Sequence, residues 1–341
     1  MTKSDKKILI TGAGGYIGSC LVDLALKNGY HVKALDTYYF GKDKLQSFFS
    51  NPHFELIEQD IRQIELSSFE DCYAVIDLAG ISNDPSGELN ARLTSSTNYE
   101  GAVKVAKKAK EAKVARYIYM SSCAIYGQAT GICKETNDEN PLTLYAKSKS
   151  LAEKEILKLS DDQFCVTSLR NSTTFGPSLR MRFDLVVNTM ILSALQNNHI
   201  IIHGQGNQRR PLIHVHDVAE ICLILLAESP KKINHEIYNI GFTNYKISEI
   251  AKDVQEILYQ KQKNTIEIIH EGIQNDLRDY EVSFEKFRRH FSFFPKKTIK
   301  MGIEEIYDAL ETKKIIIDEN CITLNFYKNL VEENEHSLLL T

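Results

Sequence analysis

Short apolar, β-branched runs alternate with helical patterns through the first half of this chain, and that alternation restricts the fold more than any other feature of the sequence. The runs are Ile8 to Ile10, Val32 to Leu35, Phe54 to Ile57, Ala74 to Leu78, Tyr117 to Met120 and Phe164 to Leu169. They are short for helices and lack the polar alternation of a half-exposed strand, so they fit parallel strands covered on both faces. Between them, Tyr16 to Lys27 closed by Gly29, Asn98 to Lys113, and Tyr145 to Leu159 carry helical composition. Right-handed crossovers then wind helices onto both sides of one sheet, an α/β doubly wound parallel architecture. With 341 residues, 43% of them hydrophobic, the chain can bury such a core as one large α/β domain or two interleaved ones.

Beyond Pro177 the rhythm loosens. A helix is expected at Leu185 to Gln196, strands at His199 to His203 and Leu212 to Val215, and a helix at Val218 to Ala227. Shorter elements follow at Ile237 to Ile240, Ile247 to Leu258 and Ile266 to His270, then a helix near Ile303 to Leu310. The organisation predicted is a sheet domain over 1–175, to which 199–228 returns, and a smaller interleaved α/β substrate-binding region over 176–198 and 229–315. The tail, 316–341, shows no period that assigns it.

The first strand feeds Thr11-Gly12-Ala13-Gly14-Gly15-Tyr16-Ile17-Gly18, with glycines 12, 15 and 18 at a strand-to-helix turn. Such a turn lets the backbone approach a pyrophosphate at the positive end of the helix. Asp36 ends the second strand, where a carboxylate accepts from both ribose hydroxyls of NAD and repels the extra phosphate of NADP. Lys42 and Lys44 nearby leave room for NADP. Tyr16 and Ile17 in the turn, Asp60 and Ile61 after the third strand, and Ala79 and Gly80 after the fourth all lie at strand ends where this architecture binds ligands. Asp60 could accept from the adenine amino group or be an ordinary loop aspartate.

Tyr145-Ala146-Lys147-Ser148-Lys149 sets a phenol and an ammonium one helical turn apart on the same face. A nearby cation lowers a phenol pKa toward the range where it can act as a base. Tyr-x-x-x-Lys also arises by chance in helices whose lysine merely reaches solvent. Ser121-Ser122-Cys123-Ala124 follows the fifth strand and opens on the same sheet edge, so Ser122 either orients a substrate hydroxyl or caps a turn.

Taken in order, these motifs resemble the extended branch of the short-chain dehydrogenase/reductase superfamily, the NAD-dependent nucleotide-sugar epimerases, dehydratases and reductases, over roughly residues 6 to 310. The resemblance implies a Rossmann-type fold and a catalytic set of Ser122, Tyr145 and Lys149, with the lysine also holding the cofactor ribose. It implies further that Thr173 borders the sugar, where many members have asparagine, and that Asn188, Arg210 and Arg278 lie near the substrate diphosphate. Arg180, Arg182 and Arg209 are equally well read as solvated surface charge. A 4,6-dehydratase of this family carries an Asp-Glu pair after the Ser/Thr, whereas this chain has Cys123-Ala124. Dehydration therefore ranks low, and of the outcomes left the resemblance favours the commoner one, an epimerase acting at C4, like UDP-glucose 4-epimerase. The stretches from Arg180 to Asn188 and from Leu277 to Tyr280 also resemble GDP-heptose C4-oxidising members, which keeps net dehydrogenation or reduction as the alternative. A non-catalytic NAD-binding protein would be expected to have lost the tyrosine or the lysine. Helices Asn98 to Lys113 and Tyr145 to Leu159 pair across a two-fold axis in this family, implying a homodimer.

A net charge of -4 argues against nucleic acid as a partner. Seven cysteines without Cys-x-x-Cys or zinc spacing fit reduced, mostly buried thiols. No apolar stretch reaches the ~20 residues of a membrane helix, and no signal segment precedes the first strand, so the cytoplasm is the expected location. His214-x-His216-Asp217 lacks a third ligand at fixed spacing, and no metal is expected.

Overall fold

The structure is a computed structural model that describes residues 6–272 and 278–340, with side chains as far as Glu332. Its strands are β1 Lys7–Thr11, β2 His31–Asp36, β3 Phe54–Glu58, β4 Cys72–Asp77, β5 Arg116–Ser122, β6 Gln128–Cys133 and β7 Cys165–Asn171. The later strands are β8 Thr173–Phe175, β9 His199–His203, β10 Arg209–His214, β11 Glu236–Ile240, β12 Thr243–Lys246, β13 Glu267–Glu271 and β14 Asp279–Val282. Helices run α1 Tyr16–Lys27, α2 Asp84–Gly87, α3 Ala91–Ser95, α4 Ala102–Glu111, α5 Leu144–Leu157 and α6 Val186–Asn197. They continue as α7 Val215–Ala227, α8 Pro230–Ile233, α9 Ile247–Gln262, α10 Glu285–Phe291, α11 Ile299–Glu311 and α12 Thr323–Leu340.

Seven parallel strands form the main sheet in the order β3-β2-β1-β4-β5-β7-β11. The alternation of strand side chains builds two cores. Along β1, Ile8 and Ile10 pack with Leu21, Val22 and Ala25 of α1 and with Ile221, Cys222 and Leu225 of α7. Leu9 points the other way, to Val105 and Ala106 of α4 and to Ala152 and Ile156 of α5. A strand that is apolar at every position is what two covered faces require. This is the Rossmann-type doubly wound sheet expected from the sequence. The strand order reverses between β1 and β4, which opens a crevice at the carboxyl ends of the strands.

A third apolar cluster joins Ile191 of α6, Ile250 and Val254 of α9 and Ile303 of α11, with Ile200 and Ile202 of β9. Two placements differ from the boundaries drawn on the sequence. Residues 236–240 lie within the span assigned to the substrate region, yet β11 pairs in register with β7 as the seventh strand of the main sheet. Of the span expected to return to the sheet domain, α7 does so, whereas β9 pairs with β13 in a separate two-stranded sheet. Four to six apolar residues make a strand in either place; partner choice is set by tertiary contacts that local pattern does not encode.

Candidate active site

A cleft of about 660 Å³ lies along the carboxyl edge of the main sheet, a size suited to nucleotide-like ligands. At one end β1 gives way to Gly12, whose φ of +68° disfavours any residue with a side chain. A Cβ there would also stand 2.9 Å from the Ala79 amide nitrogen. Gly18 is needed for a different reason: its Cβ would fall 2.0 Å from the Gly12 carbonyl oxygen, so only glycine lets α1 leave the turn this closely. Gly15 caps α1 with no side chain bonded to the first-turn amides, which leaves the helix N-terminus to serve an anion. Gly12, Gly15, Tyr16, Ile17 and Gly18 all line the cleft, as do Ala79 and Gly80.

Asp36 closes β2 beside this turn. Its carboxylate accepts from the Gly14 and Tyr38 amides, each at 3.0 Å, and burial raises its pKa against those hydrogen bonds. On the neighbouring strand end Asp60 caps the turn after β3 and is held by Arg62 at 2.6 Å, with Ile61 next to it. Amides aimed at an anion with a carboxylate one strand over are the donor set that NAD requires, amides for the pyrophosphate and Asp36 for the ribose diol.

Further along the edge, β5 delivers Ser122 and α5 delivers Tyr145 and Lys149, all three lining the same cleft as the glycine turn. Thr143 starts α5 by accepting from the Ala146 amide at 3.2 Å. Burial pushes the Tyr145 phenol up to about 12, opposed by a hydrogen bond with Ser122. Burial pushes Lys149 down to about 8, opposed by the charges of Asp77 and Glu153. The ammonium lies 4.2 Å from the centre of the Tyr119 ring. Asp77 accepts from Thr11 at 2.5 Å and from Tyr117 at 2.6 Å, so a buried carboxylate on β4 backs the lysine. Asn98, missed in the sequence, accepts from the Ile81 amide at 2.7 Å and donates to its carbonyl at 3.0 Å, which fixes the loop after Gly80.

At the far end Thr173, Arg210 and Arg278 line the cleft. Arg210 donates to the Arg278 carbonyl at 2.6 Å, and Arg278 is paired with Asp84, which also accepts from Thr143. Asn188 is a correction to the expected substrate contacts: it is fully buried behind the wall of the cleft. Its amide donates to the Tyr16 hydroxyl at 3.2 Å and to the Arg182 carbonyl at 2.8 Å, leaving nothing aimed at a ligand. Arg180 and Arg182 also depart from the surface reading. Both are buried in the cleft wall, Arg182 bonded to Asp184 at 2.7 Å and to Ser82 at 2.8 Å. Arg209, by contrast, is half exposed beside Glu281. The tail without a period supplies Thr323, Leu324, Tyr327 and Leu330 to the same cleft.

All seven cysteines are free; burial is complete or partial at each. His216, Asp217 and Glu220 approach one another on α7, but Asp217 accepts from the Lys296 and Lys297 amides and Glu220 takes the Lys296 ammonium at 2.9 Å. Among the described residues no helix is long and apolar enough to cross a membrane.

The sequence profile of the NAD dependent epimerase/dehydratase family matches residues 8–241. The chain is 26% identical over 322 residues to a UDP-N-acetyl-alpha-D-glucosaminuronate decarboxylase of Bacillus cytotoxicus, covering 88% of this chain and 96% of the relative. It is 26% identical over 318 residues to the dTDP-D-glucose 4,6-dehydratase of Homo sapiens, covering 88% of each. Its structure superposes on that of the UDP-glucuronic acid 4-epimerase from Bacillus cereus, solved with UDP-glucuronic acid and NAD. That match has a TM-score of 0.80 and 25% identity, over 90% of this chain and 99% of the other. The chain belongs to the NAD dependent epimerase/dehydratase family. It is an NAD-dependent enzyme of the group that works on nucleotide-activated sugars.

Proposed function

We propose that this enzyme is a nucleotide-sugar 4-epimerase of the UDP-glucose 4-epimerase kind, inverting a hydroxyl carbon by oxidising it transiently. The observation that carries the reading is Ala124, which lines the cleft beside Ser122 and Tyr145, while the Cys123 thiol is buried and donates to the Arg170 carbonyl at 3.1 Å. A dehydratase needs a carboxyl pair at these two positions to lift a carbon-bound proton and protonate the departing hydroxyl. The acids among the described residues that line the cleft are Asp36, Asp60, Asp84 and Asp184. Asp36 sits at the cofactor turn and the other three are each paired with an arginine.

In this reading Ser122 hydrogen-bonds the sugar hydroxyl and Tyr145 takes its proton, the Lys149 ammonium favouring the phenolate. NAD held at the glycine turn and Asp36 would supply a reversible hydride acceptor for the same carbon. Tyr145 gives the proton back once the ketosugar presents its other face, so turnover is redox-neutral. Thr173, Arg210 and Arg278 hold the sugar and the diphosphate. Net oxidation or reduction at C4 is the second reading, supported by the likeness of the Arg180 to Asn188 stretch to GDP-heptose enzymes and by the burial of Arg180 and Arg182 in the cleft wall.

The test is to follow UDP-, GDP-, dTDP- and CDP-sugars by NMR. Inversion at C4 without NADH build-up is expected; NADH accumulating in step with product would establish the second reading instead. Tyr145→Phe should lower the rate about 10²–10⁴-fold with NAD still bound. Unchanged turnover in that variant would remove the tyrosine from the mechanism.

A further inference from the structure

We propose that α12 is the outer wall of the cofactor crevice and that, through Tyr327 and Arg180, it clamps NAD(H) in place between turnovers. The inference rests on the cofactor half of the reading above and is independent of which sugar is inverted. Thr323, Tyr327 and Leu330 follow one another at helical spacing, and that single face lines the cleft shared with Gly12, Gly15 and Asp36. The helix lies beyond the 8–241 span of the family profile. The Bacillus cereus 4-epimerase is matched over 99% of its length by 90% of this chain, so part of this chain has no counterpart there.

The wall is anchored at several points. Arg180 donates from Nη2 to the Thr323 hydroxyl at 2.9 Å and to the Asn320 carbonyl at 3.1 Å, with its guanidinium 3.6 Å from the centre of the Phe40 ring. The Phe40 ring meets Tyr327 edge-on at 5.6 Å. Thr323 donates to Asp184 at 3.2 Å, the Phe183 amide donates to the Cys321 carbonyl at 2.7 Å, and Lys44 pairs with Asp318 at 2.8 Å.

Two features of this wall call for an anion in the crevice. Arg180 and Arg182 are both buried, with Asp184 the carboxylate bonded to Arg182 between them, which leaves local positive charge in excess. The Arg180 Nε is buried with no hydrogen-bond partner among the described residues. Buried, uncompensated guanidinium is costly, and a pyrophosphate beside the α1 N-terminus supplies the missing charge and acceptor. The charged groups that act on the Tyr327 phenol include Arg180, Asp36 and Arg182. Tyr327 lines the same cleft as Asp36, Arg180 and Arg182, which puts its ring on the wall that a dinucleotide bound at the glycine turn would meet. An epimerase must return hydride to the sugar it came from, and a cofactor clamped in this way cannot leave while reduced.

The experiment loads the full chain with NADH, mixes it with excess NAD and follows the loss of bound-NADH fluorescence in a stopped-flow instrument. Release is expected to be about tenfold faster in Tyr327→Ala and little changed in Tyr327→Phe, with no sugar present in either. Should Tyr327→Ala fail to fold, Lys44→Glu breaks an anchor at the start of the tail, remote from the catalytic groups. It should speed release several-fold, and adding Asp318→Lys should restore the wild-type rate. Release at the wild-type rate in folded Tyr327→Ala, or in Lys44→Glu where the first variant does not fold, would overturn the clamp and leave the epimerase reading standing. Failure of the wild-type chain to bind NADH would overturn both.

Discussion

Lys149 is a cation held inside the protein: burial pushes its pKa down to about 8, and the Asp77 and Glu153 charges only partly compensate. In the unfolded chain a lysine titrates near ~10.4. Between those two values the unfolded state carries a proton that the folded state has lost, so unfolding free energy from this group rises with pH across the window. Below pH 8 the folded protein bears the full cost of the buried charge. Lys149→Met should therefore be more stable than the wild type at pH 7, by on the order of 1–3 kcal/mol, while losing turnover. Its margin should shrink steadily from pH 8 to pH 10. Urea unfolding of both proteins at pH 7 and pH 10 measures this; a margin that does not depend on pH would show that the lysine is not a strained charge. In the proposed mechanism the group that destabilises the empty fold is also the one that favours the Tyr145 phenolate.

At the scale of elements, what matters is that α5 lies at a fixed depth against β7, because Tyr145 and Lys149 both ride on it. Arg170 of β7 fixes it, donating to Glu153 of α5 at 2.7 Å, to Glu139 at 2.7 Å and to the Tyr126 hydroxyl at 2.9 Å. Glu153 is almost fully buried and also accepts from Ser168 at 2.7 Å. Removing one partner of such a pair leaves a charge with nothing opposite it, so Arg170→Met should cost about 3–5 kcal/mol, read from chemical denaturation. Loss of less than about 1 kcal/mol would mean the network is replaceable. Elements of this kind are only partly legible in sequence. The bounds of α1 and β9 follow from the pattern to the residue, because a glycine turn starts one and a histidine closes the β-branched run of the other at each end. The glycine turn, Asp36, Ser122, Tyr145 and Lys149 are brought to one cleft because each sits at a strand end or a helix start, positions that motifs mark. Arg170, Arg180 and Arg182 were not legible, since nothing local distinguishes a buried arginine from a solvated one. Asn188 was misplaced for the converse reason: an amide carried over by resemblance is spent here on Tyr16 and Arg182. The helix α12 escaped because its apolar residues are interrupted by Asn, Glu and Lys, and its burial comes from a cleft built by residues far away in sequence.

At the scale of the whole molecule, α4 and α5 lie side by side on one flank of the sheet, packing inward through Ala106, Ala109, Ala152 and Ile156. The outward side of α5 carries Leu151, which is 51% exposed, between the lysines at 147 and 154. Where two such helix pairs meet across a two-fold axis, each leucine is buried by its own copy and the interface is isologous, which is the arrangement the family resemblance implies. A stable dimer of that type buries about 1,200–2,000 Å² in total, and a further cation at its centre would face only the lysines and the same cation of the symmetric surface. Light scattering at micromolar concentration is therefore expected to give twice the chain mass for the wild type and a single chain mass for Leu151→Lys. Because the pairing helix is the one that carries Tyr145 and Lys149, the monomeric variant should also lose thermal stability while keeping its NAD site. A wild-type monomer under the same conditions would reject the dimer and leave α5 to be held by the Arg170 network and its apolar contacts with the sheet.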